Sequence, residues 1–389
     1  MNKLLIVTTI APTLRAFFAP IARHLREIGW EVDGMAKGVS TCPECLQAFD
    51  RTWEIDWSRN PAAPQNLLVA PQQIREVLAQ QAYNLVNVST PVAAFVSRYV
   101  LNDWRKQGKL KVIYTAQGFH FYKGGSPLKN AIFLGLEKLA GPWTDCLVVV
   151  NREDEEAAKR WLVPAERVRY IPGTGLNVDR YNPLEIPEAE IRRVRQELGL
   201  SPDAPLFLSV AELIPRKRPH DVLKAFARLG RPEAHLAFAG EGEIKEMQQL
   251  ASDLGVENQV HLLGFRRDIP VLMRASAATV LASEQEGLPN CVMESLCLEV
   301  PAIGTDIRGT RDLLEGGCGL LVKLGDIDGL AEAMAWVLDR PIAAREMAQR
   351  GSKSILAYEL QNILKQYEAL YAEINNQQST INNQQLTNE

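Results

Sequence analysis

The 389-residue chain has only five histidines, no strong excess of either charge (formal net charge −4) and no long apolar run. A membrane-spanning helix needs about 20 consecutive apolar residues, whereas the longest runs, such as CLVVV (Cys146–Val150), are strand-sized. The nearly balanced charge argues against bulk nucleic-acid binding. The start, MNKLLIVTTIAPTLRAFF, carries a charge and an apolar stretch, but LLIV is too short for the apolar core of a secretory leader. It reads as a first buried strand, and the expected location is cytoplasmic. Six cysteines are scattered along the chain. The pair in TCPEC has redox or zinc spacing, yet no second CxxC or histidine pair completes a metal site, so ordinary thiols are the expectation. No Asp-x-Asp of the metal-dependent type stands out, and no metal or cofactor is expected.

What is present is an ordinary globular composition, 46% hydrophobic and 23% charged, over a length that suggests two domains. Short apolar runs alternate with amphipathic stretches. In the first half LLIVT (4–8), NLVNV (84–88), KVIYT (111–115) and CLVVV read as strands. FFAPIARHLREIG (17–29) and PQQIREVLAQQ (71–81) read as helices. Such alternation implies βαβ units and a parallel sheet. After a Pro-, Gly- and Asn-rich stretch at 172–190, the rhythm restarts with LFLSV, HLAFAG, VHLLG, ATVLA, PAIGT and GLLV. The expected domains are therefore 1–176 and 177–353, followed by a helix at 354–374. The tail at 375–389, which repeats NNQQ and has almost no apolar residues, is expected to be disordered.

The segment SEQEGLPNCVMESLCLEVPAIGTDIRGT (283–310) carries the most chemistry. Glu286 falls on a loop after a buried strand, where open α/β sheets bind ligands. Pro289 suits a first helical position, so Gly287, Leu288 and Asn290 would present a helix N-terminus and its free amides to an anion. Glu294 lies on that helix. Amides for a diphosphate and carboxylates for hydroxyl groups suit a sugar nucleotide. A solvated Glu286 and an exposed Glu294 are the bland alternative.

Four blocks (SVAELIPRKRPHDVLKAF, AGEGE with its following helix, VHLLGF and the 283–322 region), together with VIYTAQGFHFYKGG and VNREDEEAAKR, resemble the family 4 glycosyltransferases. Within that family the chain resembles the bacterial exopolysaccharide and capsule branch. The resemblance implies a GT-B α/β fold: two Rossmann-like domains facing a central cleft, acceptor side first and donor side second, with a C-terminal helix returning to the first domain. It implies a retaining hexosyltransferase that uses a nucleotide-diphosphate sugar, UDP-linked in preference to GDP-linked. The acceptor would be lipid-linked or a saccharide, at the cytoplasmic membrane face, with no metal strictly required.

Residue by residue, Lys217 matches the lysine at the donor diphosphate, Glu294 the ribose acceptor and Glu286 the contact to the donor sugar. Gly240 and Gly242 would let backbone approach the nucleotide, or form a plain turn. The chain departs from many relatives in having Glu212 where an arginine is usual, and Arg308 is placed to supply that charge. It also has Gln117 where a histidine usually lines the site. Gln117 exchanges hydrogen bonds without becoming a cation; His120 either takes over part of that role or packs among Phe119, Phe121 and Tyr122. RYVLNDWRKQGKLK (98–111), with Leu101 and Trp104, is compatible with resting on anionic lipid, although a solvated helix end is the commoner reading. Two rival functions remain: a nucleotide-sugar 2-epimerase of the same fold, and a degenerate sugar-nucleotide-binding protein without transferase activity.

Overall fold

A computed structural model describes residues 2–386 except Arg59, Pro61 and Ala62. The chain forms two compact units, one of Met1–Gly175 with Gln361–Glu389 and one of Leu176–Leu360.

The first unit holds β1 (Lys3–Ile10), β2 (Glu31–Lys37), β3 (Thr52–Glu54), β4 (Leu85–Ser89), β5 (Lys111–Ala116), β6 (Cys146–Val149) and β7 (Val168–Tyr170). All pairings are parallel, in the order β3-β2-β1-β4-β5-β6-β7. Strands covered on both faces read as continuous apolar runs, which is why β1, β4, β5 and β6 are visible in the sequence. By contrast, β2 carries Asp33 and was missed. That carboxylate is buried, and its Oδ2 accepts from the Tyr83 hydroxyl at 2.5 Å and from Trp53 Nε1 at 3.3 Å. Burial pushes its pKa up.

Two helix starts differ from expectation. The helix expected from Phe17 continues one already under way: a helical turn at Ala11–Thr13 and a π-helical turn at Leu14–Phe18 run into the α-helix Ala19–Glu27, with Pro20 directly after the π-helical turn. The helix expected from Pro71 begins at Pro64 and runs to Gln80 with Pro71 inside it.

The second unit holds β8 (Leu206–Val210), β9 (His235–Ala239), β10 (Val260–Leu262), β11 (Ala278–Leu281), β12 (Ala302–Thr305) and β13 (Leu320–Val322). Their order, β10-β9-β8-β11-β12-β13, reverses direction between β8 and β11. That reversal is the topological switch point of a doubly wound sheet, beside which ligands bind at the strands' carboxyl ends.

The helix expected from Ser354 instead begins at Leu360. Leu176 N donates to Tyr358 O at 2.8 Å and Leu360 N to Leu176 O at 2.9 Å, and this short parallel bridge holds the chain extended there. The last helix then buries Ile363, Leu364, Tyr367, Leu370, Tyr371 and Ile374 in the first unit. Asn87 Nδ2 donates to the Tyr371 hydroxyl at 2.6 Å. The expected disorder from Asn375 is corrected: the helix runs on to Leu386, and Asn375 is buried with its Nδ2 donating to Asn2 Oδ1 at 3.0 Å. The final three residues lie outside the described ones.

Candidate functional site

Three loops meet at the carboxyl ends of β8, β11 and β12. After β8 the chain makes a tight turn at Pro215–Lys217, and Arg218 then takes a left-handed conformation (φ 52°) ahead of the helix Pro219–Leu229. A non-glycine residue in that region costs about 1–3 kcal/mol and persists only where its surroundings impose it. Here Arg218 Nε donates to Asp221 Oδ2 at 2.6 Å. The turn places Lys217 Nζ 2.5 Å from Glu286 Oε1, across 69 positions of sequence. Glu286 is buried and Lys217 largely so. The solvated reading of Glu286 is thereby excluded.

The backbone of the Glu286 loop is tied to its neighbours on both sides. Glu284 N donates to Arg216 O at 3.0 Å, and Arg216 Nη1 to Gln285 O at 3.2 Å. Arg308 is buried, and its Nε donates to Glu286 O at 3.1 Å. A Cβ on Gly309 (φ 63°) would stand 2.1 Å from Gly287 O, so glycine is what permits the loop after β12 to close on the loop after β11. Arg308 thus reaches the site through the Glu286 carbonyl.

Gly287 and Leu288 are half-buried ahead of the helix Asn290–Cys297, whose first residue is exposed. Pro289 lies one position before the helix rather than in it. Glu294 is mostly buried on that helix, and its Oε1 accepts from the Tyr181 hydroxyl at 2.7 Å. Burial raises the pKa of Glu294, while Tyr181 and Arg180 oppose the rise. Sequence reasoning missed Tyr181, which sits in the apparent linker 113 positions from its partner.

The Gly240 loop follows β9. A Cβ on Gly240 would stand 1.8 Å from Ala211 O, and Gly242 pairs with Leu213 as an isolated parallel bridge. Close approach to the loop after β8 therefore accounts for Gly240 without any ligand.

Gln117 and His120 belong to the first unit, just past the carboxyl end of β5. Gln117 is half-buried, and its Nε2 is fully covered with no hydrogen-bond partner. His120 is exposed with its ring 5.1 Å from that of Phe133, while Phe119 and Phe121 stack on each other at 4.8 Å.

Among the described residues, no group of three or more His, Cys, Asp or Glu is arranged to hold a metal ion. The chain's single Asp-x-Asp, Asp326-Ile327-Asp328, opens a helix. Asp326 Oδ1 accepts from Gly329 N at 2.8 Å, and Asp328 pairs with Arg228. Cys42 and Cys45 are free thiols, the latter buried with its pKa pushed up to about 12.

Two parallel Rossmann-like sheets, the second with a lysine–glutamate pair at its switch point, have the make-up of a GT-B protein, and the family matches make it a glycosyltransferase of that type. The family description "Glycosyl transferase 4-like domain" matches residues 14–174, and "Glycosyl transferases group 1" matches 190–354. EpsD of Bacillus subtilis (strain 168), provisionally named a glycosyltransferase, is 33% identical over 376 residues, which cover 95% of this chain and 96% of that one. The UDP-Gal:alpha-D-GlcNAc-diphosphoundecaprenol alpha-1,3-galactosyltransferase of Escherichia coli is 26% identical over 68% of each chain. Anabaena Alr3699/HepE, solved with UDP and glucose, superposes with a TM-score of 0.79 at 19% identity, over 96% of this chain and all of that one. The chain belongs to the family 4 (group 1) glycosyltransferases and is a hexosyltransferase related to those of exopolysaccharide assembly.

Proposed function

We propose that the chain moves a hexosyl group, with retention of configuration, from a UDP-sugar to a lipid-linked or saccharide acceptor at the cytoplasmic membrane face. The product would enter an exopolysaccharide, capsule or other cell-surface glycan. The observation that carries this reading is the Lys217–Glu286 pair at the switch point of the second sheet.

Lys217 is assigned to the donor diphosphate. Negative charge grows on the departing phosphate as its bond to the anomeric carbon breaks, and a fixed cation there lowers the barrier without reorganising. The amides at Gly287–Asn290 and the helix dipole add to that stabilisation. Glu286, held by Lys217 and by the Arg308 contact to its carbonyl, is assigned to the sugar hydroxyls. Glu294 accepts from the ribose with its orientation set by Tyr181. The acceptor oxygen attacks the face that the phosphate leaves, and its proton passes to the departing phosphate oxygen. The E. coli relative forms an alpha linkage from UDP-Gal onto a diphospholipid-linked sugar. A UDP-hexose of this kind is itself alpha-linked, which supports both retention and the UDP donor here.

Glu294→Gln is expected to weaken binding of free UDP by roughly 1.5–3 kcal/mol, the range for a charge-assisted hydrogen bond. Tyr181→Phe should weaken it less and leave turnover at saturating donor near wild type. Calorimetric titration with UDP checks both, and an unchanged affinity of Glu294→Gln would remove that residue from the ribose.

The donor itself is testable by screening UDP- and GDP-sugars for thermal stabilisation, since a ligand that binds only the folded chain raises its midpoint by mass action. With the sugar so chosen, Gln117→His should stay active. Gln117→Ala should lose about 1–3 kcal/mol of transition-state stabilisation if the orphaned Gln117 amide pairs with substrate. An inactive wild type beside an active Gln117→His variant would instead favour a degenerate binder of sugar nucleotides.

A further inference from the structure

In the first unit the helix Pro127–Ala140 covers the sheet with Phe133 and Leu134 and turns a second apolar stripe to solvent. Leu128, Ile132, Leu136 and Leu139 recur at three- and four-residue spacing on it and are 72%, 54%, 40% and 56% exposed. Tyr99 on the neighbouring helix Pro91–Lys106 is 61% exposed and meets the edge of Trp143, just past the end of the striped helix. A helix needs one apolar face to pack; this one has a second that nothing among the described residues covers. Monomeric soluble proteins rarely leave so many large apolar side chains together in water.

The exposed charges on the striped helix itself are of one sign. The helix has three charged residues, Lys129, Glu137 and Lys138. Both lysines are exposed, as is Lys123 in the loop before it. Glu137 is tucked beneath, its carboxylate bridging buried Arg98 at 2.8 Å and the Tyr114 hydroxyl at 2.9 Å. The only acid on the helix is thus withdrawn inward, leaving leucine, isoleucine and lysine outside. That is the pattern of a helix lying in a lipid interface, with apolar side chains in the acyl boundary and lysines at anionic headgroups. The basic stretch at 98–111 contributes Tyr99 and the exposed Lys106 and Lys109, and its other basic and apolar residues are less available. Arg98 and Leu101 are buried, and Arg105 and Lys111 both pair with Asp145.

We infer that the exposed face of helix Pro127–Ala140 docks the first unit on an anionic bilayer. The inference builds on the lipid-linked acceptor proposed above, but its test does not depend on any transfer reaction. Flotation with vesicles of phosphatidylcholine, with and without phosphatidylglycerol, reads it directly. Wild type should float with the anionic vesicles, less so as salt rises, and weakly with the neutral ones. Ile132→Ser with Leu139→Ser should reduce flotation at least about tenfold, and Lys129→Glu with Lys138→Glu should abolish the preference for anionic lipid. All four side chains are exposed, so the thermal midpoint and the stabilisation by a UDP-sugar should stay at wild-type values. A wild type that remains in the aqueous fraction would overturn the inference while leaving the donor reading intact. So would a dimer in sedimentation velocity that Ile132→Ser with Leu139→Ser dissociates, because the stripe would then be covered by a second copy. Loss of UDP-sugar stabilisation in wild type, with flotation retained, would count against the donor reading alone.

Discussion

Replacing Lys217 by alanine is expected to lower turnover by about 10²–10³, the usual loss when one fixed donor at a developing negative charge is removed. A purely catalytic loss would leave stability untouched, but Lys217 is 2.5 Å from a buried carboxylate. Its removal leaves Glu286 unpaired, so the thermal midpoint should also fall. The expected cost is roughly 1–3 kcal/mol, between the values for exposed and fully buried pairs. The two effects separate in the double variant Lys217→Ala with Glu286→Gln. A neutral amide no longer needs the cation, so stability should largely return while turnover stays low. Donor-dependent transfer and a melting curve on the three proteins check this. Turnover above about a tenth of wild type in Lys217→Ala would remove the lysine from the leaving-group site.

Ending the chain at Glu359 is expected to prevent the first unit from folding. Six large side chains of the last helix (Ile363, Leu364, Tyr367, Leu370, Tyr371 and Ile374) are no more than 5% exposed. Full burial of each contributes about 1.5–3 kcal/mol. Their combined loss, about 9–18 kcal/mol, is as large as the roughly 5–15 kcal/mol that holds a typical domain together. The Asn87 amide would also lose its Tyr371 partner inside the sheet. Limited proteolysis should then cut within 1–175 while sparing 176–359. A chain ended at Gln377 keeps all six side chains and Asn375 and should melt like wild type. Wild-type melting of the shorter chain would show that the helix is not part of the first unit's core.

Apolar runs announced strands β1, β4, β5, β6 and all six strands of the second sheet; in the central ones burial on both faces leaves no room for alternation, while the edge strands β10 and β13 are only partly buried. Strand β2 stayed hidden because its buried Asp33 is made tolerable by Tyr83 and Trp53, partners 50 and 20 positions away that no local pattern reveals. Local spacing likewise marked the 283–310 segment, with Glu286 on a loop and Glu294 on a helix, and the family resemblance added Lys217. It did not show that Lys217 and Glu286 touch. That follows from β8 and β11 being neighbours at the point where the sheet reverses, which brings two loops 69 residues apart into contact.

Strand order is a property of the whole sheet, fixed by crossovers and by burial on both faces. Tyr181 beside Glu294, and Arg308 on the Glu286 carbonyl, are equally products of that order. So is the outward stripe on helix Pro127–Ala140. Its apolar residues look like ordinary core in the sequence, and only the packed sheet decides which of its two faces is used up. The sequence by itself determined the element types, the restart of the βαβ rhythm and the residue chemistry available to the site. Tertiary structure decided which of those residues meet and which remain uncovered, because contact between distant residues is set by topology, whereas periodicity and turn chemistry are set locally.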